Sequence, residues 1–257
     1  MSNMNFVHKN SIVREIWGNA DTILFIFGGA AAEFSLNKAV DWLYFTGKLP
    51  ADPLGRLFST VVYAQQIIFS DERTALAAID KITAIHQSVE QSRGMKIPDW
   101  AYRDVLFMLI HYSISAFELL ERKLTDAEKE EIFDVFNRVG ERMGLKDLPR
   151  NHTDWLVVRE QHLQENLLKS VFTDDLYTQY RKHLGVFRYL ILWEGQKLVV
   201  PLRARNLLSM SRFSVLKPFL LLYKFTQKIK FDKFLKQALL PPNYAQQIMA
   251  LDRMAID

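Results

Sequence analysis

Cysteine is absent from the 257-residue chain. Its absence excludes disulfides, thiolate metal sites, cysteine-held iron–sulfur clusters and thiol nucleophiles, and leaves metal or acid–base chemistry to histidine and the carboxylates. Glycine and proline are sparse, at 10 and 8 residues, against a hydrophobic share of 49%. That balance argues against disorder and for one substantial core. Long apolar runs are also missing: Thr22 to Ala32 falls short of the roughly 20 residues that span a bilayer, and Glu33 interrupts it. Charge is nearly balanced, with 33 basic and 29 acidic residues giving a net +4. No base-reading motif accompanies that small excess, so no specific nucleic-acid partner is expected. Met1 to Arg14 lacks the succession of positive, apolar and small residues of a secretory signal, and the expected location is cytoplasmic.

Helical periodicity is what the chain does contain. Ala20 to Phe45 carries a helix-length apolar core and predicts one bent helix before Pro50 and Pro53. Asp52-Pro53 forms a cap and first-turn pair for a helix with Leu57, Val61, Ala64 and Ile68 at helical intervals. Ser70-Asp71-Glu72 caps the next helix, Glu72 to Gln91, and Asp99 is placed as the cap of one that buries Val105, Leu109, Tyr112 and Ala116. Thr125 and Glu128 have capping-box spacing ahead of Ile132, Phe136 and Val139. Asp154 to Lys169 and Asp174 to Leu184 read as two more helices, whereas Phe187 to Val200 suits helix or strand.

Phe213 to Leu239 interleaves apolar residues with Lys217, Lys224, Lys228, Lys230, Lys233 and Lys236. The pattern fits peripheral contact with an anionic membrane or, preferably, the solvated face of a soluble helix. Leu239-Leu240-Pro241-Pro242 reads as a rigid connection between helices, and further helices are expected from Arg203 to Met254. Without a repeat or long linker to divide it, the chain is expected to be a single all-α, compact multi-helix domain over residues 1–257.

Arg56 and Thr60 lie four positions apart on a predicted helix and so share a face, where a guanidinium could bind an anion or polarise an oxygen beside a hydroxyl. A surface or structural role fits the same spacing. His86, among Ile82, Ala84, Ile85 and Val89, has the lone pair of a haem-iron ligand if sheltered and neutral, or is a packed core histidine. His111, in an apolar helix, could line a cavity, tune a ligand or pack. His152, His162 and His183 are placed on the surface or in local packing, His162 being spaced to meet Glu165. Gly28-Gly29 lacks the context of a phosphate loop and is expected to serve close packing or flexibility. The nucleophile elbow, calcium loop, kinase signature and zincin spacing are all missing.

Arg56-Leu57-Phe58-Ser59-Thr60, Ile85-His86-Gln87-Ser88-Val89, the Gly28-Gly29 helix, the His111 helix and Gly140-Glu141-Arg142-Met143-Gly144-Leu145 before Leu148-Pro149 occur in an order that resembles the catalytic domain of the rubber oxygenases and MpaB-like oxygenases. The resemblance is strongest over 20–168, with a weaker match through Leu239-Leu240-Pro241-Pro242. It implies a helical pocket holding haem b (heme b), with His86 as the proximal ligand to the metal, iron. It also implies catalytic, distal-side roles for Arg56 and Thr60, and cofactor contact by His111 as a second-sphere or alternative ligand. Rubber-cleaving relatives carry a lysine immediately before the matching threonine, where this chain has Ser59. A serine hydroxyl supplies neither the ammonium charge nor the nitrogen ligand, so an open or water-bound distal position is expected in place of polyisoprene cleavage.

The implied activity is dioxygen- or peroxide-dependent oxidation of a hydrophobic small-molecule substrate. A noncatalytic haem or hydrophobic-ligand-binding protein is the alternative. Peripheral membrane contact and a homo-oligomer are both compatible with these features.

Overall fold

The computed structural model describes residues 4–47 and 51–220. Among them are ten helices: α1 (Ile12–Trp17), α2 (Ala20–Leu36), α3 (Asp41–Phe45), α4 (Pro53–Phe69), α5 (Glu72–Arg93), α6 (Asp99–Leu120), α7 (Asp126–Arg142), α8 (His152–Asn166), α9 (Val171–Val199) and α10 (Leu202–Leu207). The described residues contain no strand, only the isolated bridges Asn5–Asp71 and Asn37–Leu167, so the fold is all-α.

Helix starts follow the side chains that satisfy first-turn amides. Asn19 accepts from Asp21 and Thr22, Asp52 from Gly55, and Asp71 from Thr74. At α7 the full capping box forms: the Glu128 amide donates to Thr125 Oγ1 at 3.3 Å, and the Thr125 amide donates back to Glu128 Oε2 at 2.8 Å. The expected cap at Asp99 is corrected: Pro98 is the capping position, without a side-chain bond, and Asp99 is the first helical residue.

Two long helices, α2 and α6, form the centre, with α9 against α2, α7 against α6, and α4 paired with α5. Gly29 of α2 sets the central spacing, because a Cβ placed there would lie 2.3 Å from the Tyr112 ring of α6. Close packing is thus the use of that glycine. Short α1 packs on α2, α4, α6 and α7, where Trp17 is fully buried and its indole N–H donates to Ser113 Oγ at 3.1 Å. Val61, Ala64 and Ile68 are buried on α4, as are Ile132, Phe136 and Val139 on α7.

Two local expectations change in the folded chain, and one left open is resolved. The single helix expected from Ala20 to Phe45 is two, α2 and α3, broken at Asn37. Its carboxamide accepts from the Ala39 amide and donates to Asp104, while Leu168 N donates to Leu36 O and Lys38 N to Asn166 O. A distant segment therefore ends α2. On α6, Tyr112 and Ala116 are buried but Val105 is exposed; neighbours on both sides instead bury Leu106, Phe107, Ile110 and Phe117. Residues 187–199 are helical, and α9 turns a corner at Gly185, whose φ of 73° and ψ of 167° suit only glycine.

Beyond that corner, α9 lays Leu192 against Gly28 and donates from Gln196 Nε2 to the Gly28 carbonyl at 3.0 Å. The expected connection Leu239-Leu240-Pro241-Pro242, the basic segment beyond residue 220 and the helices expected there lie outside the described residues.

Candidate functional site

Capped by Asp52, α4 begins early enough to place Arg56 and Thr60 one turn apart. Arg56 Nη1 donates to Thr60 Oγ1 at 3.1 Å and to Ser59 Oγ at 3.2 Å, while both hydroxyls return hydrogen bonds to the Arg56 carbonyl. Burial holds the guanidinium below its usual pKa, against the opposing influence of Tyr63. Among the described residues no ion pair includes Arg56; its side-chain partners are these two hydroxyls.

Across the α4–α5 pair, His86 presents its ring edgewise to Tyr102 of α6, centroids 5.1 Å apart. Its Nδ1 is buried and has no hydrogen-bond partner. Burial, reinforced by the positive charge of Arg56, pushes the imidazole pKa down to about 4, with Glu90 acting in the opposite sense. Glu90 is itself committed to the Ile97 amide, the Tyr102 hydroxyl and Lys96. At neutral pH His86 is therefore an uncharged ring with its lone pair retained.

His111 stands in a second neighbourhood. Burial and the Arg159 charge push its pKa down to about 4, against Glu33 and a hydrogen bond from the ring to the Val199 backbone. Nε2 of His111 is buried without a partner. Beside it, Arg159 of α8 makes a two-pronged ion pair with Glu33 of α2 at 2.6 and 2.5 Å, and the Tyr112 hydroxyl donates to Glu33 at 2.9 Å. The fold thus brings Arg56, Thr60 and His86 together and assigns His111 to this buried polar spine.

Sequence reasoning overlooked Glu33, Arg159, Tyr112 and Asp104 as a set. The one visible signal was a carboxylate at position 33 ending an apolar stretch. Asp104 is a second hub, accepting from Asn37 at 2.7 Å and Asn166 at 3.0 Å and bonding His162 Nδ1. Of the two readings of His162, surface or local packing, the structure takes the second, burying it against Phe107 and Asp104, and its expected neighbour Glu165 instead accepts from Gln161. His152 stacks on Trp155, and His183 is exposed.

No group of three or more histidine, aspartate or glutamate side chains among the described residues is arranged to hold a metal ion. Two surface clefts, of about 420 and 930 Å³, lie away from Arg56, His86 and His111, the smaller beside Asp80 and Arg142 and the larger between the N-terminal segment and α7.

The family model described as "ER-bound oxygenase mpaB/B'/Rubber oxygenase, catalytic domain" matches residues 16–228, and the chain belongs to that family. The match runs continuously past the 20–168 segment in which the resemblance was strongest and ends before Leu239. Searches of curated proteins and of solved structures found no match.

Proposed function

We propose that the protein is a haem b-dependent oxygenase, or a peroxide-dependent oxidoreductase, acting on a hydrophobic small molecule. Membership of an oxygenase family supports the reaction class. The observation that carries the cofactor reading is the buried, unpartnered Nδ1 of a neutral His86 within the electrostatic reach of Arg56. A buried polar atom without a partner is costly, and an uncharged imidazole is the form that ligates iron. These residues fit haem b: His86 would hold the iron, and Arg56, lacking a carboxylate partner among the described residues, would pair with a haem propionate or with oxygen charge.

Bound haem supplies activation of dioxygen or peroxide. The chain's own residues do the rest. Burial, reinforced by the charge of Arg56, keeps the imidazole unprotonated, and Arg56 presents its guanidinium to negative charge. The Thr60 hydroxyl, already hydrogen-bonded to Arg56, orients a polar group on that side. Ser59 carries no charge, so it would bring neither an ammonium nor a nitrogen ligand to that side of the site. His111, with its ring supported by the Val199 backbone and Nε2 unpartnered, has a tuning role or stands as an alternative ligand.

Ultraviolet–visible titration of the purified protein with haem b tests this. The expected result is saturable one-to-one binding whose oxidised, reduced and carbon-monoxide spectra change or vanish in a folded His86→Ala variant. Absence of saturable binding by folded wild-type protein would falsify the haem reading. Saturable binding without oxygen- or peroxide-dependent substrate turnover would favour a haem carrier.

A further inference from the structure

We infer that the corner of α9 and the segment that follows α10 form a peripheral docking surface for an anionic lipid bilayer. Just past Gly185, Val186, Phe187 and Leu190 are 57%, 68% and 53% exposed. A second apolar group, Phe213, Val215 and Phe219, is 87%, 65% and 63% exposed. The two groups are neighbours: the Val215 amide donates to Glu194 Oε2 at 2.9 Å and Ser214 Oγ to the Glu194 carbonyl at 3.0 Å, and Glu194 lies one helical turn from Leu190. Isolated exposed apolar side chains are ordinary, but a cluster of six with three phenylalanines marks an interaction site.

Charge selects the occupant. No acidic residue occurs between Asp175 and Glu194, or between Glu194 and Asp232, whereas Arg181, Lys182, Arg188, Arg212 and Lys217 fall in those intervals. Arg181, Lys182, Arg212 and Lys217 are exposed. Glu194 is neutralised locally by its ion pair with Lys197. Apolar side chains that enter the acyl boundary, ringed by cations that meet headgroup phosphates, are the chemistry of a surface-bound element. Among the described residues no helix is long and apolar enough to cross a membrane, so the contact is lateral. The α9 helix also packs on α4, which carries Arg56 and Thr60, placing the surface one helix away from the proposed site. The inference stands independently of the haem reading.

Flotation of the full chain with phosphatidylcholine vesicles, with and without phosphatidylserine and at low and high salt, tests it. Wild-type protein is expected to float with the phosphatidylserine vesicles and to release at high salt. Phe187→Asp combined with Leu190→Asp should lower the bound fraction about tenfold or more with unchanged circular dichroism, and Arg181→Glu with Lys182→Glu should lower it about tenfold. Should the double aspartate variant misfold, Phe187→Ser alone gives the same readout. The inference is overturned by no wild-type flotation, by equal binding to neutral vesicles, or by undiminished binding of the Phe187 and Leu190 variants. It is equally overturned if only Lys224→Glu with Lys228→Glu abolishes binding, or if the chain ignores vesicles and instead forms a dimer that Phe187→Asp dissolves.

Discussion

Two regions of the molecule treat their polar groups differently. Around Glu33 and Asp104, carboxylate oxygens are spent on protein donors: Arg159 and Tyr112 on one, Asn37, Asn166 and His162 on the other. Between α4 and α5, a guanidinium has only the hydroxyls of its own helix and an imidazole nitrogen has no partner. The first arrangement satisfies its carboxylate oxygens within the protein and leaves Arg159 Nε over, so it serves chiefly to fix helix positions. The second leaves a guanidinium and an imidazole nitrogen over, and under the proposed function those are the groups a ligand would satisfy. His111 stands between the two cases, with its ring supported by Val199 and Nε2 left over.

The comparison breaks most visibly in the spine. Glu33→Ala should destabilise the protein by about 3–5 kcal/mol in chemical denaturation, because it strands the Arg159 charge in the interior. Asp104→Leu leaves three donors unsatisfied and should cost about 1–3 kcal/mol by the same measurement. Gly29→Ala pushes a methyl into the Tyr112 ring, which also holds Glu33, and should cost about 1–3 kcal/mol with a lowered Tm. By contrast, His86→Ala should change stability by less than about 1 kcal/mol while eliminating the haem spectrum. A large loss of stability there would move His86 into the structural class.

Acid sharpens the same contrast. Both His86 and His111 have folded pKa values of about 4 against an ordinary 6.5. The unfolded chain therefore binds more protons across that interval. Their contribution to stability is fully present above pH 6.5 and is lost as pH falls toward 4. Denaturation midpoints measured through this window should decline, and His111→Gln should flatten the decline more than His183→Gln, whose ring is exposed.

How much of this was legible in the sequence follows from where each determinant lies. The α7 start was readable because Thr125 and Glu128 act within one turn. The break after Leu36 was not, because its partners are Asp104, Asn166 and Leu168, and nothing in the local pattern separates Asn37 from an ordinary helical asparagine. Residues 187–199 were ambiguous between helix and strand because apolar residues occur on the exposed side, at Phe187 and Leu190, as well as on the side against α2, which blurs the helical period. Arg56 and Thr60 were readable as a pair by their four-residue spacing. Their nearness to His86 came only from the resemblance, since pairing α4 with α5 is a tertiary event. Arg159 carried no local mark, because a buried arginine looks like a surface one until its carboxylate is known.

The Glu33–Arg159 pair spans 126 residues of sequence. A ribosome reads the chain from the amino end, so the α2 helix emerges long before the cation that neutralises it, and until α8 has left the exit tunnel Glu33 keeps its water. Sealing of the central layer is therefore postponed until most of the polypeptide has been synthesised, which makes late, non-local closure the expected rate-limiting event in the birth of the molecule.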